Sequence, residues 1–147
     1  MKLRTKIIVG LVVVFGGIQF LPSTYNQSNE ILSTDLSRIY NVPKDVESIL
    51  RTSCYDCHSN NTKYPWYNKV KPVTWYLQNH IEEGKKELNF SIFGEYSERK
   101  RRSKLHDIAN QIKSDGMPLS SYLLMHRNAK ITESKKTILL NWIDSLE

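Results

Sequence analysis

Only two cysteines occur in the 147 residues. That is too few for a disulfide scaffold or for a four-thiolate zinc site, and His80, His106 and His126 lack the spacing that would complete a zinc finger. No internal repeat, glycine-rich phosphate loop or nucleophile elbow is present, so none of the architectures or chemistries carried by those motifs is indicated. No acidic pair accompanies the aromatic cluster, which leaves a carbohydrate platform without support. Excess charge is also scarce. The formal net charge is +6, but Lys2, Arg4 and Lys6 hold three of those charges at the extreme N-terminus. The remaining +3 is mildly basic and is not a nucleic-acid signature. At 39% hydrophobic residues the chain is not disordered, and its length suits one domain with a modest core.

What is present is the arrangement of the two cysteines. They stand in Cys54-Tyr55-Asp56-Cys57-His58, the pattern C-x-x-C-H. On a helical turn Cys54 and Cys57 are an i, i+3 pair, and His58 lies four residues from Cys54 on the same face. Two thiols so placed can add across the two vinyl groups of a haem, and the adjacent imidazole can reach the iron. A redox dithiol wants strand-rich surroundings with C-x-x-C opening a helix, whereas here a helical pattern precedes the pair. Half of a zinc site has no second half.

C-x-x-C-H followed much later by Gly116-Met117-Pro118 resembles the single-haem c-type cytochromes of bacteria. More narrowly, the run from Cys54 through Ser59, Asn60 and Asn61 to Tyr64-Pro65-Trp66-Tyr67, and then Leu88-Asn89-Phe90-Ser91, resembles the small haem-binding domain family of bacterial envelope proteins. The likeness runs from about Val42 to Trp142. It implies one haem c attached outside the cytoplasmic membrane, with Cys54 and Cys57 as anchors and His58 as proximal ligand. It also implies a first and a last helix that cross and seal the haem crevice, with Trp142 in the packing.

The N-terminus supports export independently. Three basic residues precede the apolar run from Ile7 to Leu21, which reads as a signal peptide or signal anchor and places the rest of the chain outside. No cysteine follows the run, which excludes lipoprotein attachment, and no clean A-x-A marks a cleavage site. Residues 22–41 are rich in Ser, Thr and Asn and read as a polar tether, with Leu36 and Ile39 able to dock on the fold. Pro43 suits the start of a helix carrying Val46, Ile49, Leu50 and Cys54.

The stretch Ser59 to Val73 reads as a loop anchored by Tyr64, Trp66 and Tyr67. Tyr64 and Trp66 are candidates for covering the haem edge and donating hydrogen bonds to its propionates. Thr74 is the expected N-cap of a helix ending near Gly84, with His80 within it. The basic run Arg99, Lys100, Arg101 and Arg102, with Lys104, opens an amphipathic helix whose Leu105, Ile108, Ala109 and Ile112 recur at helical spacing. That run reads as a solvated face first, and as a docking face for an acidic partner or anionic lipid second. The helix should stop at Asp115-Gly116, with Gly116 in the left-handed cap. Met117 then stands on a restricted loop as the candidate sixth iron ligand, with His126, Met125, His80 or an open position as the alternatives. Thr132 should cap a last helix with Ile138, Leu139, Trp142 and Ile143 on its apolar stripe.

The sequence therefore predicts an all-α, cytochrome c-like helical domain around one covalent haem, preceded by an N-terminal membrane helix. Its divisions are a signal segment at 1–21, a tether at 22–41 and the haem domain at 42–147. The expected role is single-electron transfer in the periplasm, with a redox partner protein in the envelope, contact with the membrane through the N-terminal segment, and no nucleic acid. A haem peroxidase or a gas or redox sensor with an open sixth position is the rival.

Overall fold

The computed structural model describes residues 2–146. Among these residues eight α-helices run in order: α1 Leu3–Ile18, α2 Leu36–Ile39, α3 Lys44–Ser53, α4 Tyr55–His58, α5 Val73–Glu87, α6 Glu98–Lys113, α7 Ser120–Leu123 and α8 Glu133–Asp144. Short 3-10 turns cover Trp66–Lys69, Phe90–Glu95 and Arg127–Ala129. Among the described residues there is no named strand, only one isolated bridge between Gln27 and Asn61.

The helices form where the apolar spacing and the caps agree. Pro43 occupies the N-cap of α3, where its missing N–H costs nothing, and Val46, Ile49 and Leu50 turn to one buried face. Ser97 caps α6 by accepting from the Lys100 amide, and Leu105, Ala109 and Ile112 are its buried stripe. Thr132 caps α8 by accepting from the Lys135 amide, and Leu139, Trp142 and Ile143 face inward. Helix α8 packs on both α3 and α6, and α5 lies against α4. The centre of the core is Phe90 and Phe93 with Leu36, Leu50, Leu105, Leu139 and Ile143, all essentially without solvent contact. Truncating any one of the leucines to Ala would cost about 2–5 kcal/mol.

Four expectations need correction. The spanning helix at the N-terminus is not supported, because among the described residues no helix is long and apolar enough to cross a membrane. Helix α1 has 16 residues, about 24 Å against roughly 30 Å of hydrocarbon, and it ends where the Gln19 side chain turns back to the Phe15 carbonyl. Thr74 is not the N-cap of α5. Pro72 holds that place, and the Thr74 hydroxyl donates instead to the Asn68 carbonyl. Gly84 does not end α5, which continues to Glu87, so this glycine lies inside the helix. After α6 the left-handed residue is Asp115, at φ 55°, and among the described residues no glycine has positive φ.

The polar stretch from Asn26 to Ile39 runs along the domain. Asn26 bonds to Ser59, Thr62 and Tyr64, and Leu36 is fully buried, with Ile39 packed beside it. Asp35 caps α2 and also accepts from the Tyr55 hydroxyl at 3.0 Å, which ties this stretch to the core.

Candidate functional site

The C-x-x-C-H stretch begins where α3 ends. Cys54 leaves helical geometry at φ −130°, and its carbonyl then accepts from the amides of both Cys57 (3.2 Å) and His58 (3.0 Å). A single tight turn therefore carries both thiols and the imidazole, as the spacing predicts. The two intervening residues fasten that turn from opposite sides. Tyr55 is buried, stacked on Phe90 with ring centroids 5.0 Å apart. Asp56 accepts from the Tyr122 hydroxyl at 2.8 Å and from the Lys63 amide at 3.1 Å.

His58 is held by its Nδ1, which lies 2.9 Å from the Gly84 carbonyl and 3.1 Å from that of Leu88. Carbonyl oxygens can only accept, so Nδ1 carries the proton. The lone pair is then on Nε2, the arrangement a metal-ligating histidine needs. Burial pushes the imidazole below its ordinary value, opposed in part by the two carbonyls, so the ring is neutral and able to ligate near pH 7. Burial raises both thiols: Cys54 to about 12, with neighbouring Cys57 adding to it, and Cys57 to about 11, with Asp56 adding to it.

Three adjoining cavities surround the turn. A central one of about 190 Å³ is lined by Cys54, Cys57, His58, His80 and Met117. A second, of about 380 Å³, lies toward α6 and is lined by Cys54, His58, Phe90, Lys104, Gln111 and Met117. The third, about 350 Å³ and walled by aromatic rings, meets the motif only through Asp56 and Cys57.

Met117 thus joins the two cysteines and His58, on the loop after α6 and a little over one-third exposed. Tyr64 lines the aromatic cavity, but its hydroxyl is taken by the Asn26 amide at 2.8 Å. Trp66 lines none of the three cavities and is 74% exposed, with its ring edge on Tyr67. His126 and Met125 line only the aromatic cavity, and His126 is engaged by Tyr67, Oη to Nε2 2.7 Å. His80 lines two of the cavities, and its Nε2 is buried with no partner.

Sequence reasoning placed Gly84 only as a helix end and missed its contact with the motif. A Cβ there would stand 2.8 Å from the Cys57 carbonyl, so only glycine lets α5 approach the motif closely enough to offer its carbonyl to His58. The available signal was a glycine kept in a helix interior at a cost of about 1 kcal/mol. The Asp56 to Tyr122 and Tyr67 to His126 pairs were also missed, since nothing in the spacing reports contacts across 59 or more residues.

The side chains fit a haem. Two thiols share a turn with a neutral imidazole whose free nitrogen is set by the fold. The cavities beside them are lined mainly by apolar groups, and a buried histidine nitrogen in their wall lacks a partner. A small all-helical fold with such a site defines a helical haem-binding domain. The chain belongs to the haem-binding domain family, whose model matches residues 13–145. No curated protein and no solved structure matches it.

Proposed function

We propose that the chain holds one haem covalently, as haem c, and passes single electrons outside the cytoplasmic membrane. One observation carries this reading: the same turn presents Cys54, Cys57 and an imidazole whose Nδ1 is fixed by two carbonyls, so that Nε2 is left for iron. A bound haem supplies an iron that cycles between ferric and ferrous states. Cys54 and Cys57 hold the ring through thioethers, and His58 is the proximal ligand. Met117 is the sixth ligand, because it lines both cavities that His58 lines and its soft thioether suits either iron state. A filled sixth position leaves no place for substrate, which favours electron transfer over catalysis. The N-terminal segment serves export, where maturation of C-x-x-C-H occurs and where a redox partner in the envelope would meet the haem edge.

A second reading rests on His80, whose unpartnered Nε2 lies in the wall of the central cavity. If Met117 did not ligate, His80 could donate to a peroxide or diatomic gas on the iron, making the protein a peroxidase or sensor.

The test is to purify the protein from a bacterium that matures c-type haem, extract it with acidified acetone, and record the ferric spectrum of the wild type and Met117→Ala. Colour that resists extraction, with a weak far-red iron–methionine band lost in Met117→Ala, is the expected result. Extractable pigment would overturn covalent attachment. A high-spin spectrum that shifts with cyanide in the wild type would transfer the assignment to the His80 reading.

A further inference from the structure

The aromatic cavity is not needed for the iron ligands. His58 and Met117 together line the central cavity and the one toward α6, and neither lines the aromatic cavity, which touches the motif only at Asp56 and Cys57. Its walls are built from flat and branched apolar groups, among them Tyr64, Tyr76, Leu77, Ile81 and Leu119. Its volume of about 350 Å³ falls in the range of small-molecule sites. Its polar groups include two hydrogen-bonded pairs and the unpartnered Nε2 of His80. Tyr67 Oη is hydrogen-bonded to His126 Nε2 at 2.7 Å, and Tyr122 donates to Asp56. The Tyr122 ring lies parallel to His126, 5° apart in plane with centroids at 4.2 Å, which fixes the imidazole from its face.

We propose that this cavity binds a quinol, a flat ring bearing two para hydroxyls, as the electron donor, and that the Tyr67 and His126 pair receives its proton. The inference rests on the covalent-haem reading for the electron acceptor. Flat aromatic walls favour a planar ring, and a donor whose oxidation releases protons needs a base beside its hydroxyl, which a metalloprotein donor would not. The Tyr67 oxygen accepts the quinol O–H, while the Tyr67 proton passes to His126 Nε2. His126 is only half-buried, so the proton can leave to water. In balance, one quinol breaks two O–H bonds, forms two C=O bonds, and releases two protons and two electrons. Two ferric haems take up those electrons, one in each of two encounters.

The test uses the haem-loaded chain. Calorimetric titration with oxidised duroquinone reads binding, and stopped-flow reduction compares duroquinol with hexaammineruthenium(II), which needs no pocket. Saturable reduction by duroquinol and measurable duroquinone binding are expected. Tyr67→Phe should lower the limiting duroquinol rate about tenfold or more while leaving the ruthenium rate unchanged. Leu77→Trp, which fills the cavity but keeps the pair, should abolish both saturation and quinone binding. Non-saturating duroquinol reduction that is identical in Tyr67→Phe, or no heat with duroquinone, would overturn the quinol site while normal ruthenium reduction left the haem reading standing. Duroquinone binding seen only in the haem-free Cys54→Ala/Cys57→Ala chain would also overturn it, since the porphyrin would then fill the cavity. A colourless protein would instead remove the haem reading on which the proposal depends.

Discussion

The imidazole Nδ1 of His58 sits 2.9 Å from the carbonyl oxygen of Gly84, three residues before the end of α5. The same glycine faces the Cys57 carbonyl so closely that a side chain there would collide with backbone. One residue of α5 therefore sets how near the helix comes to the motif and, together with the Leu88 carbonyl, which nitrogen of His58 carries the proton.

Replacing Gly84 by Ala should reverse the usual outcome of that substitution. In an open helix interior, Ala would be favoured by about 1 kcal/mol. Here the added Cβ meets backbone at 2.8 Å, and relieving it by displacing α5 costs about 1–3 kcal/mol while lengthening the His58 hydrogen bonds. Urea denaturation of the haem-loaded protein should show net destabilisation. A more stable Gly84→Ala variant would mean that α5 is not pressed against the motif.

Leu36→Ala separates a free tether from an integrated one. In a solvated linker the change would be nearly neutral, but Leu36 is fully buried in the main core. A loss of about 2–5 kcal/mol in equilibrium unfolding is expected. A loss below about 0.5 kcal/mol would place this segment outside the cooperative fold.

The sequence disclosed those parts of the fold whose signals are local. Val46, Ile49 and Leu50 on α3, Leu105, Ala109 and Ile112 on α6, and the Thr132 cap of α8 are all expressed in spacings of three and four residues, and each is found where expected. The stretch before α3 was harder to read because its Ser, Thr and Asn content looks like linker, while its docking depends on hydrogen bonds to residues more than thirty positions away. The motif is legible as a candidate site because C-x-x-C-H constrains chemistry within five residues, whereas Met117 meets it only through the fold, lining two cavities with His58. Trp66 is a candidate for the haem edge from the composition of its loop, and composition carries no information on the direction of the ring, which stands 74% exposed and lines none of the three cavities.

Asn26→Ala should loosen the loop that follows the motif. The Asn26 amide donates to the Ser59 carbonyl at 2.7 Å and to Thr62 Oγ1 at 2.9 Å, and its oxygen accepts from Lys85 at 2.6 Å. Truncation leaves these partners unpaired in a half-buried setting, at about 1–3 kcal/mol. Hydrogen exchange at the Thr62 amide, which donates to the Asn26 carbonyl, should accelerate together with that loss. Unchanged protection there would show that the loop holds its form without this contact.

The thiols carry a pH dependence in the haem-free chain. Burial lifts Cys54 to about 12 and Cys57 to about 11 from an ordinary value near 9. Between those limits the folded state keeps protons that the unfolded state has released, so stability falls as pH rises. The contribution is complete below about pH 9 and is lost as pH climbs through 11 to 12. Ultraviolet titration of thiolate in the folded haem-free chain should show little ionisation below about pH 10, and iodoacetamide should label it far more slowly at pH 8 than the urea-unfolded chain. Because the protonated thiol is the poor nucleophile, the proposed covalent attachment would proceed faster on the unfolded chain, where the thiols keep their ordinary value. Maturation of the unfolded chain should then outpace that of the prefolded chain, measured as covalent haem per unit time. Rapid alkylation of the folded chain at pH 8, or equal maturation rates, would show that the closed turn already presents reactive thiolate.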